Sequence, residues 1–268
     1  MKVTVLGAGG RMGYELIRGI TKEPDLTLVA AVERDGHAAV GQDAGSFAGL
    51  PALGISIGAD AAAAIALCDV VIDFTFHSAV PQTAALVAKA GKAYIVGTTG
   101  LTEAEEAAVR QAATVVPVVQ APNMSMGVNV LLDLVTRAAR TLGLDYDAEV
   151  IELHHRHKRD APSGTALALG QAVAAGRNQD LDQVACHGRE GITGERPRGE
   201  IGFHALRGGD IVGEHTVALI ADGERIELSH KASSRSCLSA GALKAAVWIA
   251  GHAPGLYSMR DVLGLSQN

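Results

Sequence analysis

The densest chemistry in this chain lies in ELHHRHKRDAPSGTAL, residues 152–167. His154, His155, His157 and Lys158 share six consecutive positions with Arg156 and Arg159, directly ahead of Pro162-Ser163-Gly164-Thr165. Cations packed this closely need solvent, a metal ion or an anionic ligand to offset their repulsion. As metal ligands the histidines are poorly placed. His154 and His155 are neighbours that point to opposite faces of a strand, and no H-x-x-x-H spacing or cysteine partner accompanies them. Lys158 and Arg159 would also suit a plain solvated face. The Pro-Ser-Gly-Thr segment after them favours an anion. Pro162 suits the first position of a helix, so Ala161 or Asp160 is expected to cap it and Ser163-Gly164-Thr165 to form its first turn. Free N–H groups and hydroxyls at a helix N-terminus, beside an ammonium and titratable imidazoles, suit a small dicarboxylate, and a lysine crowded by cations can act as a general acid. The run therefore reads as an anion-binding and proton-transfer site, with no metal.

A second constellation opens the chain. Lys2–Leu6 reads as a strand running into Gly7-Ala8-Gly9-Gly10-Arg11-Met12-Gly13, which opens a helix. Glycines there allow a tight turn and let backbone amides approach a pyrophosphate. Met12 breaks the strict G-x-G-x-x-G, and Gly7, Gly10 and Gly13 form a variant of it. Glu33 lies 20 residues beyond Gly13, where an acid accepts the ribose hydroxyls of NAD. Arg34 and Arg11 are placed to meet the 2′-phosphate of NADP instead. Both NADH and NADPH are expected to serve, with Glu33 favouring NADH. Two later loops, Gly97-Thr98-Thr99-Gly100 and Ala121-Pro122-Asn123-Met124, follow candidate strands and are placed to line a nicotinamide pocket, as is Phe76-His77. Each of these alone is an ordinary turn motif.

The elements that must position these residues change character along the chain. Short apolar runs at Lys2–Leu6, Leu26–Glu33, Val70–Thr75, Ala93–Val96 and Val115–Gln120 alternate with helical stretches at Gly13–Ile20, Ala79–Ala90 and Glu103–Ala113. That alternation is the signature of βαβ units on a parallel sheet. Thr102 and Glu105 form a capping box ahead of the third helix, and Val40–Gly58 reads as irregular. Beyond the alternating region, Gly127–Leu142 is a striped helix and Asp147–His154 a strand. From Gly199 onward the alternation suggests a β-meander turned at Gly208-Gly209 and Asp222-Gly223. Leu238–Ala250 returns to a helix, while 176–198 reads as a loop. The fold class is α/β. A Rossmann-type dinucleotide-binding domain spans 1–125, an α+β substrate and oligomerisation domain with a mixed open sheet spans 126–235, and 236–268 rejoins the first domain.

Composition narrows the function further. The net charge is −6 and only 3% of residues are aromatic, against the basic surplus and stacking rings of a nucleic-acid binder. No apolar stretch reaches the length of a membrane span, and the start enters a strand almost at once, so a cytoplasmic protein with no membrane or nucleic-acid partner is expected. Cys68, Cys186 and Cys237 are odd in number and far apart, which suits reduced, packed thiols. A semialdehyde dehydrogenase working through a thiohemiacetal would need a reactive cysteine, and none of the three has an evident base nearby. A non-enzymatic nucleotide sensor would need a basic DNA-binding module, for which neither charge nor length leaves room.

ELHHRHKRDAPSGTA resembles the signature of the 4-hydroxy-tetrahydrodipicolinate reductase (dihydrodipicolinate reductase) family of bacterial lysine biosynthesis. VLGAGGRMG, DFT, GTTG, APNMSMGVNVL, GDIVGEHT and HKASSR are similar to that family's blocks, in its order and over essentially the whole chain. The resemblance implies NAD(P)H-dependent reduction of a cyclic imine dicarboxylate, with hydride going to ring C4 and a proton then entering the ring. It implies Lys158 as proton donor and His154 as proton donor or acceptor. His155, Lys158, Ser163, Gly164 and Thr165 would hold a substrate carboxylate, with Thr99 close to the ring. The nucleotide would lie on Gly7, Ala8, Gly9, Gly10, Arg11, Met12, Glu33, Arg34, Gly97, Thr98, Thr99, Ala121, Pro122, Asn123 and Met124. A homotetramer built on the second domain's sheet, and closure about Asn123–Gly127 and Ser234–Ser236, are implied as well. Two positions depart from the pattern: Phe76 stands where some relatives have an arginine, and Leu238 where others have an aromatic residue.

Overall fold

The computed structural model describes residues 1–265. The chain divides into two compact units: Met1–Met126 together with the segment from Arg235 onward, and Gly127–Ser234.

The elements β1 (Lys2–Leu6), α1 (Arg11–Ile20), β2 (Thr27–Val32), α2 (Ala44–Phe47), β3 (Ile57–Gly58), α3 (Ala61–Leu67), β4 (Val70–Asp73), α4 (Val80–Ala90), β5 (Ala93–Val96), α5 (Glu103–Ala113) and β6 (Pro117–Gln120) come first. The chain then runs through α6 (Met126–Leu142), β7 (Asp147–His154), α7 (Gly164–Gly176), α8 (Leu181–Val184), β8 (Ala185–His187), β9 (Ile201–Arg207), β10 (Gly213–Ala221) and β11 (Glu224–Ala232). The last elements are α9 (Ser236–Trp248), β12 (Gly255–Tyr257) and α10 (Met259–Val262).

Among the described residues, seven strands of the first unit form one sheet in the order β12-β6-β5-β4-β1-β2-β3. Every pairing in it is parallel. The strands are apolar on both faces because both faces are covered. Val3, Val5, Val70, Ile72 and Ile95 pack with Leu16 and Ile17 of α1 and with Ala242 and Ala246 of α9. Leu6, Val71, Tyr94 and Val96 pack on the other side with Ile65 of α3, Val87 of α4 and Val109 of α5. Each fully buried aliphatic side chain of this kind stabilises the fold by roughly 1.5–3 kcal/mol. The Thr102–Glu105 capping box is present at the start of α5. The stretch expected to be irregular holds α2 and β3. Asp43 organises it by accepting the N–H groups of Ser46, Leu53, Gly54 and Ile55, which draw its carboxyl down to about 2. That loop thus folds around one carboxylate, while Ala44, Ala48 and Ile57 join the core.

The second unit contains a five-stranded sheet in the order β11-β10-β7-β9-β8. β10 is antiparallel to both β7 and β11, whereas β7, β9 and β8 run parallel. The expected simple meander is therefore corrected. Asp222-Gly223 does turn the β10–β11 hairpin, since Ala221 pairs with Glu224. Gly208-Gly209 does not turn a hairpin between paired neighbours, because β7 lies between β9 and β10. Its backbone instead meets the chain beyond β7: Gly208 N–H donates to the His154 carbonyl at 3.0 Å, and Gly209 carbonyl accepts from Arg156 N–H at 3.2 Å. On one face of this sheet Ala148, Val150, Ile201, Phe203, Val217 and Leu219 form a core with Leu131 and Val135 of α6 and Leu169 and Val173 of α7. The stretch expected to be a loop, 176–198, carries α8 and the edge strand β8.

Candidate active site

The glycine loop sits at the carboxyl end of β1, in the interior of the first sheet. Gly7 and Ala8 donate their N–H groups to the Val32 carbonyl, and Gly10 N–H bonds back to Gly7 at 3.0 Å, closing the turn. Two of the glycines are required by geometry. Gly7 has φ +77°, and a Cβ there would stand 2.5 Å from the Phe74 carbonyl oxygen; a Cβ on Gly13 would stand 2.4 Å from the Gly7 carbonyl oxygen. Gly10 begins α1 without a side-chain cap, so the first-turn amides are left to solvent or a ligand. Glu33, just past β2, accepts the Gly9 N–H at 2.9 Å and the Arg34 N–H at 3.0 Å. The predicted acid and the glycine loop are thus in direct contact, while Arg11 and Arg34 are exposed beside them. This donor set fits a dinucleotide: uncapped amides for the pyrophosphate, and a carboxylate with lone pairs to spare for ribose hydroxyls.

The neighbouring loops are tied together by a buried carboxylate, the aspartate of the DFT block, to which the sequence assigned no role. Asp73, at the end of β4, is fully buried. It accepts Tyr94 Oη at 2.6 Å, Thr75 N–H at 2.9 Å, Thr75 Oγ1 at 2.6 Å and Thr98 Oγ1 at 3.1 Å. Burial and this carboxylate push the Tyr94 phenol well above its ordinary value, so it stays a donor. Within Gly97-Thr98-Thr99, Gly97 and Thr98 are buried supports and Thr99 is exposed. Ala121 N–H joins its loop to β5 through the Val96 carbonyl at 3.3 Å. In that loop Pro122 is exposed, Asn123 accepts the Ser125 N–H at 2.9 Å through its side chain, and Met124 is buried. His77 is held by Glu105 at 2.9 Å, a link to the α5 cap, while Phe76 is exposed.

In the second unit, the face of the sheet that carries the core becomes polar at one end. Glu152 and His154 on β7, Arg207 on β9, His215 on β10 and His230 on β11 share that face by register. Glu152 is 1% exposed and is the hub. Its carboxylate accepts His154 Nδ1 at 2.5 Å, Ser163 N–H at 3.0 Å and both Arg207 terminal nitrogens at 2.7 and 2.8 Å. Burial pushes the Glu152 carboxyl up, but Arg207, His154 and Ser163 more than offset that and hold it below the usual range. It stays ionised, so His154 keeps a proton on Nδ1 and presents Nε2 to the site. Burial lowers the His154 pKa, and Glu152 offsets part of that fall. Lys158 pairs with the exposed Asp160 at 2.9 Å, and its charge acts on both His154 and His215. His155 lies in the turn after β7, with Nδ1 buried and unpaired among the described residues.

The helix start differs from expectation. α7 is capped by Ser163, whose Oγ accepts the Ala166 N–H at 3.2 Å; neither Ala161 nor Asp160 caps it. Ser163 is extended, as an N-cap must be, and Pro162 stands one residue ahead of it in a cis peptide. Gly164 and Thr165 remain in the first turn. His154, His155, Lys158, Ser163, Gly164 and Thr165 all lie in the second unit, and Thr99 lies with the nucleotide loops of the first. Glu152, Arg207 and His215 were not singled out by sequence. Glu152 did carry a signal, since a charged residue stands where strand alternation demands burial. Arg189 and Arg196 bond to Glu149 at 2.9 Å on the opposite face of β7, and Arg196 also reaches Asp147 at 2.7 Å, which pins the 188–200 segment to the sheet. Among the described residues no cluster of three or more histidine, cysteine or acidic side chains is arranged to hold a metal ion.

Both halves of the chain are similar to known proteins. Residues 1–124 match the family model described as dihydrodipicolinate reductase, N-terminus, and residues 127–263 match its C-terminus. The chain belongs to the dihydrodipicolinate reductase family. It is 53% identical over 264 residues to the 4-hydroxy-tetrahydrodipicolinate reductase of Alkalilimnicola ehrlichii, covering 98% of this chain and 99% of that one. It is 52% identical over 264 residues to the enzyme of the same name from Hahella chejuensis, with the same coverage. A dipicolinate-bound dihydrodipicolinate reductase from Paenisporosarcina sp. TG-14 shares the fold at TM-score 0.77 and 22% identity, over 96% of this chain and 97% of that one.

Proposed function

We propose that this chain reduces 4-hydroxy-tetrahydrodipicolinate, by way of dihydrodipicolinate, to tetrahydrodipicolinate, with NADH or NADPH as reductant, in the diaminopimelate route to lysine. The observation that carries this reading is the cationic corner of the second unit: an ionised, buried Glu152 orienting His154, with Lys158 close by and the capped start of α7 bonded to the same carboxylate. In a family of this name, that corner is suited to a cyclic dicarboxylate. Water leaves from C4 of the substrate, and when bound the reduced nicotinamide supplies a hydride to that carbon. Lys158 then gives a proton to the ring, and His154, through Nε2, takes up or relays protons. Ser163, Gly164 and Thr165 at the start of α7, with His155 and Lys158, hold one carboxylate, since amide N–H groups, hydroxyls and the positive end of the helix all favour an anion there. Thr99 contacts the ring.

Gly7–Met12, Glu33, Arg34, Gly97–Thr99 and Ala121–Met124 hold the nucleotide. Glu33 favours NADH, because a 2′-phosphate beside its carboxylate would meet like charge, and exposed Arg34 and Arg11 still admit NADPH. No helix among the described residues is long and apolar enough to cross a membrane, and the reading is of a cytoplasmic enzyme. A homotetramer through the outer face of the second sheet is part of the proposal, supported by exposed Leu206 and Ile220 on that face. The test is a coupled assay in which pyruvate and aspartate semialdehyde are condensed by the preceding synthase, while NADH and NADPH oxidation are followed separately. Oxidation that requires both the synthase product and this chain supports the reading. Nucleotide binding with no oxidation of either cofactor would refute it.

A further inference from the structure

The N-cap of α7 carries more than its capping bond. Ser163 Oγ accepts the Ala166 N–H at 3.2 Å and also lies 3.0 Å from Nε2 of His215, itself only 5% exposed. Which of those two atoms donates depends on where the imidazole carries its proton. The other ring nitrogen of His215, Nδ1, is buried and meets no partner among the described residues. A proton on Nδ1 would strand a buried N–H, while a bare lone pair there is the smaller penalty. The proton therefore belongs on Nε2, pointing at Ser163.

A hydroxyl has two lone pairs and one proton. With Nε2–H and the Ala166 N–H both donating to Oγ, its lone pairs are filled and its own O–H must find an acceptor elsewhere. In the opposite tautomer the hydroxyl would give its proton to the imidazole and turn a lone pair toward any incoming carboxylate. We propose that His215 is a positioning residue that commits the Ser163 hydroxyl to donate to the substrate carboxylate at the start of α7. This rests on the dicarboxylate reading given above. Protonating His215 does not reverse the arrangement, because an imidazolium also donates through Nε2. His215 is in any case held neutral to about pH 4, by burial first and then by His154, with His230 and Lys158 acting in the same sense and Glu152 opposing them. The ring also meets His154 edge-on at 5.0 Å, so an effect through His154 has to be separated from one through Ser163.

The separating experiment uses pyridine-2,6-dicarboxylate as the probe, alongside steady-state kinetics. The variants are His215→Leu, His215→Gln, Ser163→Ala and the double substitution; His215→Met, similar in size and without a donor, replaces His215→Leu if that variant does not fold. Loss of the neutral hydrogen bond that orients the hydroxyl predicts that His215→Leu weakens dicarboxylate binding and raises substrate KM about 2- to 10-fold, with kcat changed much less. His215→Gln, whose amide N–H can replace Nε2–H, recovers most of the loss. In the Ser163→Ala background, His215→Leu has no further effect on KM. Equal effects of His215→Leu with and without Ser163, or a loss confined to kcat with a displaced pH profile, would place its action on His154 and overturn the proposal. Unchanged binding in a folded His215→Leu would overturn it too. If the wild-type protein binds no dicarboxylate, the functional reading itself fails, a result distinct from failure of His215 alone.

Discussion

At the glycine edge of the first unit, the groups open to a ligand are chiefly backbone amides, joined by the Glu33 carboxylate, and the glycines matter by having no side chain. At the cationic corner of the second unit, side chains join the amides of the α7 start, and several are held by other side chains: His154 by Glu152, Glu152 by Arg207, Ser163 by His215. Both arrangements are suited to anions. The first depends chiefly on shape, because amides do not titrate. The second depends on charge and proton position, so on the proposed reading acid–base chemistry belongs there, and there acid should do damage.

Four measurements would break or sharpen that contrast. The largest effect belongs to Lys158→Ala, which should lower kcat by about 10²–10⁴-fold, the usual range for a lost acid–base group. The ion pair of Lys158 is with the exposed Asp160, so thermal stability should hardly move. Unchanged turnover would remove Lys158 from the chemistry.

Next is acid destabilisation of the second unit. The folded state keeps His215 neutral to about pH 4, whereas the unfolded chain takes up that proton near 6.5. Between those values the unfolded state binds more protons. This contribution is therefore intact above about pH 6.5 and is lost as pH falls toward 4, on the order of 2–4 kcal/mol. His154 and His230 are lowered as well and act in the same sense. Urea midpoints at pH 7.5 and 4.5 should differ accordingly, and His215→Gln should narrow the gap. A gap left unchanged by that substitution would contradict the assignment.

At the other site, Gly13→Ala places a Cβ 2.4 Å from backbone oxygen. Overpacking of this kind costs about 1–3 kcal/mol, and NADH binding should weaken with little dependence on pH. Fluorescence titration with NADH checks it. The smallest effect is expected for Thr102→Ala, which removes the α5 cap for about 1 kcal/mol of stability and leaves turnover unchanged. A large loss of activity there would mean that the capped helix, with its His77 link, bears on the nucleotide loops more than the geometry suggests.

Much of the first unit was legible in sequence because its signals are local. β1, β5 and α5 occur with the expected bounds, set by short apolar runs and by a capping box that needs only four consecutive residues. β7 was equally clear from its alternation. The order of strands in the second sheet was not, because the pairing of β7 with β9 and β10 joins residues dozens of positions apart and no local turn announces it. The same limit hid the partners of Glu152 and Ser163. Arg207 stands 55 positions from Glu152, and His215 stands 52 from Ser163. The histidine and lysine run marked a candidate site, but the groups that hold its protons in place come from strands distant in sequence. The cap of α7 was misplaced for a similar reason: proline's preference for the first helical turn lost to Ser163, whose hydroxyl and N–H both have partners in the folded site.

The division of labour between the two sites is tested most directly by one set of titrations. NADH and pyridine-2,6-dicarboxylate would each be titrated into the wild-type protein, Gly13→Ala and Lys158→Ala, with the other ligand saturating. Gly13→Ala should weaken NADH and spare the dicarboxylate, and Lys158→Ala should do the reverse. If both substitutions weakened the same ligand, or if Lys158→Ala weakened only NADH, the separation into a backbone-built nucleotide site and a side-chain-built dicarboxylate site would be wrong.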